Sequence, residues 1–195
     1  MSEQELNKIV ELEKRIRELE KDLIHDSLTS LKTRAFFEEE SKIYISTTNN
    51  INSGKRHDWF GFKDLSIIFF DIDYFKKIND TYGHMIGDSV LRDVANLIKE
   101  NVRVGDVVAR FGGEEVVALL LGASESDAKQ KADSIRKKVE LLTFESTPEL
   151  KVTISGGVAE SFPNVTYEGL LKNADLALYK AKGTGRNKVV TFSEI

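Results

Sequence analysis

The chain has 195 residues, a formal net charge of −4 and no cysteine. Its length suits one globular domain with a short appendage, and its 41% hydrophobic residues suffice for a core. The lack of cysteine excludes disulfides and thiolate metal sites, and the acidic balance argues against a surface that coats nucleic acid. Because the chain also has neither a signal-like N-terminus nor an apolar run of the ~18 residues that span a membrane, we expect a cytoplasmic protein.

Residues 1–25 predict a helix distinct from the rest of the chain. Aliphatic residues recur there at alternating spacings of three and four: Ile9, Leu12, Ile16, Leu19 and Leu23. Isoleucine at the a positions and leucine at the d positions favour a parallel two-stranded coiled coil. We expect a dimerising helix, the alternative being a single amphipathic helix that lies on its own domain.

The remaining residues predict helices and strands in mixed order. Helices are expected at 32–44, 83–101, 124–142 and 167–182. Strands are expected at 65–70, 107–111, 115–121, 152–159 and 188–192, with a hairpin turn at Gly112-Gly113. The polar residues 46–64 predict a surface loop that Trp59 and Phe60 fix to the domain, the alternative being that these two residues contact a partner. Residues 76–88 predict a polar loop that opens into a helix.

This order is typical of an α+β fold with a ferredoxin-like or palm-type antiparallel sheet and helices on one face. The first strand and the hairpin would be neighbours at the centre of the sheet. Asp71 and Glu114 would then meet at one edge.

Carboxylates stand beside strands that are expected to be buried, in FDIDYFK (70–76) and RFGGEE (110–115). A buried carboxylate is costly unless it is compensated, and a divalent metal ion can compensate it. Magnesium prefers such hard oxygen ligands, and two metals suit nucleotidyl transfer. The alternative is that Asp71 and Glu114 are strand-end charges that point into water.

Two further segments suggest nucleotide contacts. Asn79 and Asp88 offer the groups that pair with guanine N1–H and N2–H, which adenine lacks; the alternative is turn formation and helix capping. Lys182 and Arg186 could bind the phosphates of a triphosphate. The alternative is that they are cations that stabilise the C-terminal end of a helix, as is common in proteins.

The chain resembles the GGDEF domain family of diguanylate cyclases. The similar stretches, in family order, are DSLTSLKTR (26–34), FDIDYFKKIND (70–80), GHMIGD (83–88), RFGGEE (110–115) and ADLALYKAKGTGRN (174–187). We therefore expect residues 26–195 to form a GGDEF catalytic domain, preceded by the coiled-coil helix 1–25.

The resemblance implies roles for individual residues. Asp71, the backbone carbonyl of Ile72 and Glu114 would hold two Mg²⁺ or Mn²⁺ ions. Lys76 would stabilise charge on the phosphates, and Glu114 would help to deprotonate the 3′-hydroxyl. The substrate-binding residues would be Asn79, His84, Asp88, Lys182 and Arg186. Glu115 is next along the strand, so we expect its side chain to point elsewhere. We expect Glu115 to matter for the site but assign it no ligand role.

Arg103 and Asp106 stand at the spacing of the family's inhibitory site for the cyclic dinucleotide product. Arginine can pair with guanine O6 and N7, and aspartate can accept from its N–H groups. The alternative is a Gly-Asp turn that leads into a strand.

The chain departs from the family at three positions. Val116 replaces the phenylalanine that gives the motif its last letter, and we expect it to lie in the core with little effect on chemistry. Ser30 and Thr33 stand where the family often has Gly and Asn, in the turn between coiled coil and domain.

The resemblance implies a diguanylate cyclase, a bacterial signalling enzyme that condenses two GTP into cyclic di-GMP with release of two pyrophosphates. It would act as a homodimer, because each domain presents one GTP, and the coiled coil would set the orientation of the domains. A catalytically silent domain that binds GTP or cyclic di-GMP is one alternative, and a passive scaffold on a coiled coil is another. A cyclic dinucleotide made partly from ATP is disfavoured by Asp88. Neither a nucleic acid polymer nor a membrane is expected as a partner.

Overall fold

The structure, a computed structural model, describes residues 3–52 and 64–195. Its helices are α1 (Glu3–Ile24), α2 (Arg34–Asn52), α3 (Phe75–Tyr82), α4 (His84–Glu100), α5 (Glu125–Glu140) and α6 (Tyr167–Gly183). Its strands are β1 (Lys32–Thr33), β2 (Leu65–Ile72), β3 (Val107–Arg110), β4 (Glu115–Leu121), β5 (Ile154–Glu160) and β6 (Val189–Thr191), followed by a 3₁₀ turn at Phe192–Glu194. Among the helices of these residues, none has the length and apolar character that crossing a bilayer requires.

The strands form a single sheet in the order β1-β3-β4-β2-β5-β6. The four central strands are antiparallel, whereas the short outer strands β1 and β6 pair in parallel with β3 and β5. The expected α+β class is confirmed, with the first long strand, β2, next to the hairpin β3–β4. This arrangement brings the C-terminal end of β2 to the hairpin turn.

Helices cover both faces of this sheet, so the expectation of helices on one face is wrong. Every residue of β2 is buried, which requires apolar cover on both sides. On one side Ile68 shares a core cluster with Val94 of α4 and with residues of α5. On the other side Ile67 shares a cluster with Phe37 of α2 and with residues of α6.

Helix α2 continues to Asn52, so residues 46–52 are helical and not part of the predicted loop. The hydroxyls of Thr47 and Thr48 donate to carbonyls one turn earlier, and Thr48 is buried. The Asn49 amide donates to the Val165 carbonyl at 3.0 Å, which anchors the last turns to a distant segment. The rest of the predicted loop, residues 53–63 with Trp59 and Phe60, lies outside the described residues.

Residues 75–82 also form a helix, α3, where a polar loop was predicted. Phe75 and Ile78, one turn apart, are buried at 8% and 6% exposure and fix one side of this helix against the core. The helix ends at Gly83, whose φ of 83° suits glycine, and α4 begins at the next residue. The corner between α3 and α4 is therefore tight.

Candidate active site

Asp71 lies at the end of β2, between Glu115 of β4 and Ser155 of β5 in the strand register. Only 4% of Asp71 is exposed. The backbone N–H of Ile72 donates to the carbonyl of Glu114 at 3.4 Å, which ties the hairpin turn to this strand end. The segments that carry Asp71 and Glu114 therefore meet at one edge of the sheet.

Lys182 approaches Asp71 from the C-terminal end of α6, with its Nζ 2.7 Å from Asp71 Oδ2. Burial raises the pKa of Asp71 to about 6, against the lowering effect of Lys182 and with added repulsion from Glu114 and Glu115. The carboxylate is thus poorly solvated and close to other acids. Such a group is stabilised by a cation.

Glu115 faces the same side of the sheet as Asp71, because the two residues are direct partners across β2 and β4. The expectation that its side chain points away from the site is wrong. Strand β4 begins only at Glu115, so strand alternation does not apply to Glu114. Burial raises the pKa of Glu115, and the charges of Lys182, Glu114 and Asp175 act on it.

The donors at this edge suit a cation held jointly by protein and nucleotide. Asp71, Glu114 and the Ile72 carbonyl offer hard oxygens, and magnesium is usually bound by one or two carboxylates completed by phosphate oxygens. In the described residues, no group of three or more acidic, histidine or cysteine side chains forms a self-sufficient metal cage. The ammonium of Lys182 against Asp71 shows that the buried carboxylate accepts a positive charge.

Asp73, which the sequence analysis gave no role, organises the loop after α6. Its carboxylate accepts hydrogen bonds from Thr153 Oγ1 at 2.7 Å, Ser155 Oγ at 2.7 Å and the backbone N–H of Asn187 at 3.0 Å. Arg186 and Asn187 both have left-handed backbone angles, with φ of 59° and 45°. Asp73 therefore holds a strained segment next to the site. The only signal in the sequence was a second carboxylate two residues after Asp71.

Arg186 stacks on Tyr74, the residue that precedes α3. The guanidinium carbon lies 4.5 Å from the ring centroid, and Nη1 donates to the Tyr74 hydroxyl at 3.4 Å. Lys76 is exposed in the first turn of the same helix. The structure thus places Arg186 beside the start of α3, while Lys182 lies at the strand end.

Asn79 and Asp88 are brought together at the corner between α3 and α4. A Cβ atom placed on Gly87 would lie 1.8 Å from Asn79 Oδ1, so the Asn79 amide rests directly on the backbone of Gly87. Asp88 is the next residue and is exposed, as is His84 at the start of α4. The two groups expected to contact a base are therefore neighbours, although 79 and 88 are on different helices.

Arg103 and Asp106 form the turn before β3. The Asp106 carboxylate accepts from the backbone N–H of Arg103 at 2.8 Å and from that of Leu121 at 3.0 Å. The turn geometry of the alternative reading is thus present. The Arg103 side chain is exposed and lines a cavity of about 610 Å³ together with His25, Lys32 and Lys99.

Arg110, also without a role in the sequence analysis, braces the hairpin turn. Its Nε donates to the carbonyl of Gly112 at 3.1 Å and its Nη2 to that of Gly113 at 2.9 Å. Val116 is 1% exposed in the core beyond this turn, as expected for the position that departs from the motif. The backbone that carries Glu114 is therefore held by a side chain from the preceding strand.

The profile of the diguanylate cyclase GGDEF domain matches residues 23–188. The chain belongs to this family. Among curated proteins, it is 40% identical over 166 residues to diguanylate cyclase A of Treponema denticola, covering 84% of this chain and 43% of that protein. It is also 40% identical over 171 residues to the response regulator PleD of Caulobacter vibrioides, covering 86% of this chain and 36% of that protein. The chain thus spans less than half the length of these curated relatives.

A solved structure covers nearly the whole chain. The coiled coil and GGDEF domain of DgcB from Caulobacter crescentus, in complex with cyclic di-GMP, superposes with a TM-score of 0.83 at 29% identity. The match covers 96% of this chain and 95% of that one. This GGDEF fold therefore recurs in a protein in which a coiled coil accompanies the same domain.

Proposed function

We propose that the chain is a diguanylate cyclase that condenses two GTP into cyclic di-GMP and releases two pyrophosphates. One observation carries this proposal: the buried Asp71 carboxylate, with Lys182 at 2.7 Å, lies at the sheet edge where the Glu114 turn meets β2. Family membership and the cyclic di-GMP in the DgcB structure support the choice of product.

Each GTP would be bound between the strand edge and the corner of α3 and α4. Asn79 and Asp88 would pair with the guanine edge, with His84 near the nucleotide, while Lys182, Arg186 and Lys76 would contact phosphates.

Two Mg²⁺ or Mn²⁺ ions, held by Asp71, the Ile72 carbonyl and Glu114, would neutralise phosphate charge and acidify the 3′-hydroxyl. As the oxygen of that hydroxyl attacks the α-phosphorus of the facing GTP, Glu114 would accept its proton.

The reaction requires two copies of the chain, because one domain presents one GTP. Helix α1 exposes the aliphatic side chains of Ile9, Leu12 and Leu23 to extents of 44%, 54% and 72%. Such a stripe is stabilised when a second copy covers it in a parallel coiled coil. The coiled coil would then hold two domains with their sites facing each other.

Product inhibition would act through the turn at Arg103 and Asp106. Asp106 uses its carboxylate to fix the turn, which leaves the exposed Arg103 guanidinium to pair with guanine O6 and N7 of the product. The adjoining cavity of about 610 Å³ gives the ligand room.

The decisive experiment is incubation with GTP and Mg²⁺, followed by chromatography of the products. We expect cyclic di-GMP and pyrophosphate from the unmodified chain, no turnover from Asp71→Asn, and a loss of about 100-fold or more in Glu114→Gln. Glu145→Gln, an exposed acid outside the site, is the matched control and should be as active as the unmodified chain.

The same samples separate the alternatives. A silent binding domain would show a GTP-dependent rise in melting temperature and yield no dinucleotide. A passive scaffold would show neither. Either result from the unmodified chain would overturn the proposed function.

A further inference from the structure

A second cleft, of about 490 Å³, lies beside α3. Of the described residues that line it, none is among those proposed to contact GTP. Its lining includes the buried aliphatic residues Ile78 and Leu150, the tyrosines Tyr74 and Tyr82, and the exposed lysines Lys77 and Lys151. The cleft is a distinct feature of the fold, separate from the strand edge with Asp71.

Helix α3 separates the cleft from the proposed GTP site. Lys77, Ile78 and Thr81 recur at the spacing of one helical face and line the cleft, as does Tyr74, the residue before the helix. Lys76 and Asn79, three residues apart, lie on a different face. Helix α3 therefore contributes residues to both the cleft and the proposed GTP site.

We propose that this cleft binds a purine 5′-monophosphate. The buried side chains of Ile78 and Leu150, 6% and 5% exposed, form an apolar floor for a purine ring, and the tyrosines supply faces for stacking. Binding sites for small molecules combine such apolar walls with a few polar groups, in volumes of roughly 300–1,000 Å³.

The charged residues that line the cleft favour a ligand that carries a single phosphate group. Lys77 and Lys151 are exposed ammonium groups, opposed on the rim by the exposed carboxylate of Glu149. Asp73 also lines the cleft, but its carboxylate already accepts three hydrogen bonds from within the protein. The lysines can contact the phosphate, while Glu149 can accept from the exocyclic amine of a purine.

Tyr74 couples the cleft to the proposed GTP site. Tyr74 is among the residues that line the cleft, and its ring also contacts the guanidinium of Arg186, which is not among them. A purine stacked on Tyr74 from the cleft side would hold the ring against Arg186 and so keep Arg186 in place for the triphosphate. This coupling rests on the proposed function. Because linkage is reciprocal, each nucleotide favours the binding of the other.

The test uses adenosine 5′-monophosphate, since Asp88 disfavours adenine at the GTP site. Calorimetric titration of the full chain should show saturable binding, and Lys77→Glu should weaken it by about tenfold or more. Lys131→Glu, an exposed lysine of α5 outside the cleft, is the matched control and should bind like the unmodified chain. With saturating adenosine 5′-monophosphate, the KM for GTP should fall about fivefold. Lys77→Glu should lose this response.

Absence of saturable binding, equal binding by Lys77→Glu, or a rise in the KM for GTP would each overturn the proposal. Lys77 is exposed, so the variant is expected to fold; a thermal melt checks this, and Lys151→Glu replaces it if the melt differs. Turnover without adenosine 5′-monophosphate tests the cyclase activity by itself. If the chain binds adenosine 5′-monophosphate in a Lys77-dependent manner but forms no dinucleotide, the proposed function is overturned and the proposal for the cleft is not.

Discussion

Arg110 and Asp26 form an ion pair across 84 residues of sequence, with Nη1 3.2 Å from Oδ2. The same guanidinium donates to the carbonyls of Gly112 and Gly113 in the hairpin turn. Asp26 also accepts from the backbone N–H and hydroxyl of Thr29, at 2.8 and 2.7 Å. A single side chain therefore links the turn after α1 to the loop that carries Glu114.

This pair predicts a pH-dependent contribution to stability. Burial raises the pKa of Asp26, but the hydrogen bonds from Thr29 and the charge of Arg110 outweigh it and hold the pKa below its ordinary 3.8. The unfolded chain then binds more protons than the folded chain near that pH, so stability rises with pH through this range. The stabilisation by Asp26 is present above about pH 4 and is lost as the pH falls below it.

Urea unfolding of the unmodified chain and of Asp26→Asn, between about pH 7 and pH 3, measures this contribution. The difference in unfolding free energy should be largest near neutral pH and shrink below about pH 4. Asp80→Asn, an exposed residue, should show no such trend. A difference for Asp26→Asn that stays constant over the range would contradict the prediction.

Asp73→Asn should destabilise the fold. Asp73 is 4% exposed and its carboxylate accepts three hydrogen bonds. In the amide these bonds lose their charge assistance, and one hydroxyl must turn to accept from the new NH2 group. We expect a loss of about 1–3 kcal/mol in the free energy of unfolding, measured by urea denaturation. Asp80→Asn again provides the comparison, and an equal stability of the two variants would refute this structural role of Asp73.

Gly87→Ala should impair GTP binding while the fold stays intact. A Cβ atom at Gly87 would lie 1.8 Å from Asn79 Oδ1, so the Asn79 side chain must move away from its place beside Asp88. Loss of one hydrogen bond to guanine should raise the KM for GTP about tenfold. Gly169→Ala is the control, since its Cβ would meet Thr166 Oγ1 at an ordinary 3.4 Å. Equal KM values for the two variants would exclude this function of Gly87.

Leu12→Glu should make turnover depend on protein concentration. The substitution places a charge in the exposed aliphatic stripe of α1 and should dissociate the proposed dimer. We expect monomers in sedimentation and a turnover per domain that falls on dilution. Lys14→Glu, which lies at an outward heptad position, should remain dimeric. If dilution leaves turnover per domain unchanged in Leu12→Glu, the coiled coil does not assemble the active pair.

The long strands and most helices could be predicted because each is marked by a pattern of apolar residues within its own segment of sequence. The pattern around Leu65 and the glycine pair at 112 and 113 are sufficient for the strands and the hairpin. The end of α2 could not be predicted in this way, because Thr and Asn favour turns over helix interiors. Its stability depends on contacts such as Asn49 with Val165, 116 residues apart, which local sequence does not contain.

In the site too, features set by residue type could be predicted, whereas features that depend on partners far away in the sequence could not. Its acidic and basic residues could be selected from their types and from the family resemblance. The roles of Asp73 and Arg110 could not, because their partners are 114 and 84 residues away in the chain. The orientation of Glu115 could not be inferred from that of Glu114, because Glu114 lies in the turn before β4, where strand alternation does not apply. It depends on the pairing of Glu115 with Asp71 in β2.

If a divalent ion binds Asp71 as proposed, the contact between Lys182 and Asp71 makes its binding an exchange of one positive charge for another. A divalent ion that reaches Asp71 must displace the ammonium, and the ammonium regains a counter-ion only when polyphosphate has arrived. Ion and nucleotide are then expected to bind synergistically, each weakly by itself. One lysine at the end of a helix would thereby couple the two binding events.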